Sequence, residues 1–99
     1  MEALLMELIN SEEISKYLSQ LNGWFYIDKS IEKEFTLKSF ADALAFVVKV
    51  GLEAEKIEHH PDMLLHSWNK VRIILSTHSA GGVTENDFKL AQTIDEIRK

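Results

Sequence analysis

Only one proline interrupts this chain, Pro61, and the run of residues leading up to it sets the architecture. From Ser39 the sequence continues for about 20 residues with no helix breaker but Gly51. It opens on Ser39-Phe40-Ala41-Asp42, a capping box whose hydroxyl and carboxylate can satisfy the first free backbone N–H groups of a helix. Proline at 61 pushes the residue before it out of the α region, so the predicted helix covers 39–59 and is the longest element of the chain. At about 100° per residue, Asp42, Lys49, Glu53 and Lys56 share one narrow wedge and the rest of the circumference is broadly apolar. Two stripes lie on it, about a quarter turn apart. Phe40, Leu44, Val47, Gly51 and Ala54 can face a sheet; Ala41, Ala45, Val48 and Leu52 form either a wide core contact or a self-association surface.

On each side of this helix the pattern switches to period two. Trp24-Phe25-Tyr26-Ile27 is aromatic and β-branched, Asp28-Lys29-Ser30 is turn-like, and Ile31 to Leu37 places Ile31, Lys33, Phe35 and Leu37 on one face against Glu32, Glu34 and Thr36. After Pro61, Met63 to Trp68 reads as a strand, Asn69-Lys70 as a tight connection and Val71 to Thr77 as a strongly β-branched partner. Two more capping boxes complete the order. Asn10 with Glu13 opens a helix through Ile14, Tyr17, Leu18 and Leu21 that Asn22-Gly23 ends, and Thr84-Glu85-Asn86-Asp87 opens one through Phe88, Leu90, Ala91, Ile94 and Ile97. Residues 1–9 carry Leu4, Leu5, Leu8 and Ile9 and either add a helical turn or fray. The order α-β-β-α-β-β-α, with hairpins that favour antiparallel pairing, predicts an α+β two-layer fold: a four-stranded antiparallel sheet with its helices on one face.

Ninety-nine residues suffice for a single domain, 1–99, with one modest core. A formal charge of -5 with no lysine or arginine cluster argues against direct nucleic-acid binding. There is no cysteine, so disulfides and thiol catalysis are excluded. No apolar run is long enough to span a membrane and Met1-Glu2-Ala3 is not a basic secretory leader, so the expectation is a cytoplasmic protein without a membrane partner.

The residues with chemical potential lie in the second half of the chain. Glu55 falls in the apolar arc of the long helix and its i+4 neighbour is His59, so the carboxylate can orient that imidazole; the plain alternative is a surface pair worth a few tenths of a kcal/mol. His59-His60-Pro61 ends the helix, and the two rings must point in different directions. Imidazoles suit proton donation and acceptance around one small ligand, although a His-His helix end is also a common solvated terminus. His78 follows the second hairpin strand and runs into Ser79-Ala80-Gly81-Gly82, where glycine lets backbone approach a ligand. Asp87 has a structural role available in its capping box and a second one as a contact to a histidine. His66 falls outside the pattern and reads as an ordinary surface or core residue. A metal site is disfavoured, because adjacent histidines are awkward co-ligands and no His-Glu-x-x-His or cysteine framework exists.

Together, Glu55-x3-His59-His60-Pro61, Trp68, His78 and Asp87 closely resemble the signature of the pterin-4a-carbinolamine dehydratase family. The similarity extends to Glu55-Lys56, Asn69-Lys70-Val71, Leu75-Ser76-Thr77-His78 and Gly23-Trp24, essentially the whole chain. That resemblance implies a hydro-lyase that removes water from 4a-hydroxytetrahydrobiopterin, or a related 4a-hydroxytetrahydropterin, to give the quinonoid dihydropterin in tetrahydrobiopterin recycling, with no metal and no cofactor. It implies His59, His60 and His78 as acid/base groups, Glu55 supporting His59, and Asp87 orienting His78. Glu58, His59, His60, Pro61, Ser76, Thr77, His78 and Ser79 would line the pterin site. It also implies a homo-oligomer, dimer or tetramer, through helix 39–59. The alternative function it carries is a protein-binding dimerisation cofactor or scaffold that uses the same helix.

Overall fold

The structure, a computed structural model, describes residues 7–99. Of the segment 1–9, Leu4 and Leu5 therefore lie outside the described residues. Helix α1 (Ser11–Leu18) is followed by β1 (Phe25–Ile27), β2 (Ser30–Thr36), α2 (Phe40–Lys56), β3 (Asp62–His66), β4 (Lys70–Leu75), a 3-10 turn (His78–Ala80) and α3 (Glu85–Arg98). The strands pair antiparallel in the order β1-β2-β4-β3. All three helices contribute to one apolar cluster against one face of that sheet, the predicted α+β arrangement.

The register explains the core. Ile31 opposes Leu75, Lys33 opposes Ile73 and Phe35 opposes Val71, so these side chains share a face. All are buried except Lys33, whose ammonium runs out over the Phe35 ring to meet Asp95 at 2.9 Å. The same carboxylate accepts the indole N–H of buried Trp24. The opposite sheet face stays open and carries Glu34, Leu64, His66 and Arg72.

Of the first two predicted capping boxes the N-cap half forms: Asn10 Oδ1 accepts from Glu13 N, and Ser39 Oγ from Asp42 N. Two expectations shift. The second hairpin turns earlier than its composition suggests, because Ser67 and Trp68 adopt positive φ (49° and 57°) that no strand accommodates. Asn69 then ties the loop to the end of β2, donating Nδ2 to Leu37 O while its own carbonyl accepts from Leu37 N. Trp68 is left 62% exposed in that loop and is not part of the core.

Along α2 the buried stripe is Ala43, Phe46, Val50 and Ala54, not Phe40, Leu44, Val47, Gly51 and Ala54. The helix is rotated toward its polar wedge, so that Phe46 packs on Phe35 at 4.9 Å between ring centroids and the two alanines let the backbone lie close. Phe40, Leu44, Val48 and Leu52 remain exposed as a continuous i, i+4 row. Among the described residues no helix is long and apolar enough to cross a membrane.

Candidate active site

The long helix does not stop at Pro61 but at Lys56, one turn before. Glu58 N donates to Glu55 O and His59 N to Ala54 O, both at 3.1 Å, the paired bonds of a Schellman motif. Glu58 occupies its left-handed position with φ 50°, where glycine is usual, which is why the sequence does not announce the stop. Exposed Glu58 is thus a backbone device first. The reversal turns the two histidines apart as expected: His59 goes inward and is 9% exposed, while His60 faces solvent.

Their partners differ from those expected. His59 Nε2 lies 2.5 Å from Asp87 Oδ1, and His60 Nε2 lies 2.8 Å from Glu55 Oε1. Glu55 therefore supports His60, not His59, because the Schellman turn folds the chain back and makes i+5 the reachable neighbour. Asp87 holds His59, not His78. Glu55 and His60 are both exposed, so their pair is screened by water.

Asp87 is fully buried in the first turn of α3. Its Oδ2 accepts from Thr84 N, the returning bond of the predicted capping box, and from Thr77 Oγ1, each at 2.9 Å. Thr77 Oγ1 and Thr84 Oγ1 are 2.7 Å apart. The end of α2, the end of β4 and the start of α3 are thereby tied at one carboxylate. Thr77, expected to line a pocket, is buried with its hydroxyl bonded to Asp87 and Thr84. Thr84 is a participant that sequence reasoning missed, although its place in the capping box was the available signal.

His78 and Ser79 sit exposed on the 3-10 turn directly after Thr77, with Ser76 half-buried before it. The loop closes through Gly81 at φ 77° and a bridge in which Thr77 N donates to Gly82 O at 2.7 Å. Pro61 is half-buried after the His pair. The fourth histidine, His66, is elsewhere: on the open sheet face its Nε2 meets Glu34 Oε1 at 2.6 Å. That hydrogen bond, helped by the charges of His66, Arg72 and Lys70, holds the Glu34 carboxyl below its ordinary range. Among the described residues no three His, Asp or Glu side chains gather as a metal would require.

A cleft of about 760 Å³ lies near the far end of α3, lined in part by Lys33, Asp95 and Arg98. It contains no histidine, and Lys33 and Asp95 are already paired. The His59–Asp87 pair and the turn that bears His78 are at the other end of the helix.

Residues 7–97 match the family described as Pterin 4 alpha carbinolamine dehydratase. A Roseiflexus castenholzii relative described as a "Putative pterin-4-alpha-carbinolamine dehydratase" is 50% identical over 91% of this chain and 96% of its own length. A Prochlorococcus marinus relative with the same description is 41% identical over 94% and 97%. Among solved structures, a transcriptional coactivator/pterin dehydratase from Brucella melitensis superposes with a TM-score of 0.84 at 36% identity, covering 90% of this chain and 96% of that one. A pterin dehydratase-like protein described as a RuBisCO assembly factor shares the fold alone, at 21% identity and a TM-score of 0.60. With matches of this extent on both sequence and fold, the chain belongs to the pterin-4α-carbinolamine dehydratase family.

Proposed function

We propose that this protein is a 4a-hydroxytetrahydrobiopterin dehydratase, a hydro-lyase acting on that compound or a related 4a-hydroxytetrahydropterin in tetrahydrobiopterin recycling. The observation that carries the reading is His59: a nearly buried imidazole held through Nε2 by a buried carboxylate, beside the turn that bears His78. In the reaction the C4a–O bond breaks as the N5 lone pair forms a C4a=N5 bond. The hydroxyl leaves as water with a proton from a general acid, and the N5 proton passes to a base. His59, His60 and His78 supply these groups. Glu55 supports His60, Asp87 fixes His59, and the segments 58–61 and 76–79 border the pterin. Positioned acid and base groups typically contribute about 10² to 10⁴ in rate.

The test is stopped-flow dehydration of a freshly generated 4a-carbinolamine. Wild-type protein should accelerate loss of the intermediate, and a folded His78→Ala variant should lose most of that acceleration. No acceleration by wild-type protein overturns the reading.

The exposed row Phe40, Leu44, Val48 and Leu52 supports a homo-oligomer, dimer or tetramer, through α2, and equally a protein-binding role for the same face. Val48→Glu should shift the sedimentation equilibrium toward monomer; wild-type protein that is only monomeric at micromolar concentration refutes self-association.

A further inference from the structure

The two oxygens of Asp87 have different duties. Oδ1 faces His59 Nε2, while Oδ2 accepts from Thr84 N and Thr77 Oγ1. A threonine hydroxyl has one proton, and that of Thr77 is committed to Oδ2. The 2.7 Å contact between the two threonine hydroxyls therefore takes its proton from Thr84. Thr84 thus serves Asp87 twice, directly by its amide and through Thr77 by its hydroxyl. A helix-capping hydroxyl ordinarily serves only the first amides of its own helix; this one reaches Thr77, two residues beyond the end of β4, and it is fully buried.

Two donors on Oδ2 fix the carboxylate plane and leave Oδ1 to the imidazole. A carboxylate in that role accepts, so His59 Nε2 carries the proton and Nδ1 keeps its lone pair. Among the described residues Nδ1 has no hydrogen-bond partner, yet no buried side-chain nitrogen or oxygen lacks one. Nδ1 therefore lies outside the hydrogen-bond network that holds Nε2.

We propose that Thr84 is a positioning residue: with Thr77 it locks Asp87 in the orientation that holds His59 as the Nε2–H tautomer and presents Nδ1 outward as the proton-accepting nitrogen. The inference rests on the dehydratase reading for what Nδ1 meets, whereas the tautomer is a property of the protein alone.

The experiment combines the two. Long-range ¹H–¹⁵N spectra of protein labelled at histidine, at a pH where the ring is neutral, should show His59 as a single Nε2–H tautomer. Thr84→Val, which keeps shape and amide but removes the hydroxyl, should give mixed tautomers. Its kcat should fall roughly five- to tenfold, the rate equivalent of one net hydrogen bond, with KM within about twofold. Thr84→Ser should restore both. If Thr84→Val does not fold, Thr77→Val removes the same relay and carries the same expectation. A wild-type ring in the Nδ1–H form, or a Val variant with an unchanged tautomer and kcat, overturns the proposal. Absence of dehydratase activity would remove the kinetic arm and leave the tautomer measurement standing.

Discussion

Replacing Asp87 with asparagine separates the two roles of this carboxylate. The side chain is fully buried and meets three donors: Thr84 N, Thr77 Oγ1 and His59 Nε2. The asparagine oxygen can keep the first two, as neutral bonds in place of charge-assisted ones. At about 1 kcal/mol lost per weakened bond, the variant should be less stable by about 2 kcal/mol. In a chain of 99 residues that lowers Tm by about 8–16 °C. The third bond survives only if His59 changes tautomer, because the asparagine NH₂ now faces Nε2 and needs an acceptor there. Nδ1 then carries the proton and can no longer take one. A general base contributes about 10² to 10⁴ in rate, so kcat should fall by at least about 10² while the variant remains folded. Stopped-flow dehydration and urea denaturation on the same preparation measure both quantities. A folded variant within threefold of wild-type kcat, by the same constants, would refute the claim that Asp87 acts through the protonation pattern of His59.

Glu58→Gly should stabilise the protein by about 1 kcal/mol, since glycine adopts the left-handed position without the Cβ penalty; an unchanged or lower urea midpoint would show that φ 50° costs nothing here. Glu34→Gln should flatten the acid limb of the stability curve. The lowered Glu34 pKa gives a contribution that is complete above its unfolded value of about 4.3 and is lost as pH falls through the lower folded value. Wild-type and variant urea midpoints that decline in parallel from pH 6 to pH 3, about the carboxylate range, would contradict that. Glu55→Gln should leave stability within about 0.5 kcal/mol, because the pair with His60 is exposed, and should lower kcat less than Asp87→Asn does. A stability loss above about 1 kcal/mol would show that the pair is structural.

Most of the scaffold was legible because its signals are local. Asn10, Ser39 and Thr84 mark helix starts by chemistry that acts within four residues, and alternation from Ile31 to Leu37 places a sheet face. The rotation of α2 was not legible, since nearly its whole circumference is apolar and only the shape of the sheet, through Phe35 and Phe46, selects the buried arc. The histidine partners were hidden for a related reason. A helical count from Glu55 reaches His59, but a glutamate in a glycine's position bends the chain one turn earlier and hands Glu55 to His60. His59 then finds a carboxylate 28 residues away, a pairing that no spacing rule contains.

The Schellman turn has a further consequence for how this chain can change length. Between Lys56 and Asp62 each successive residue has a separate assignment: a cap, a reversal, an inward ring, an outward ring and a proline. One residue added or removed there would send the wrong imidazole to Asp87. The joint between helix and strand is therefore a fixed ruler, and a change of length within it should be absent from active chains of this kind.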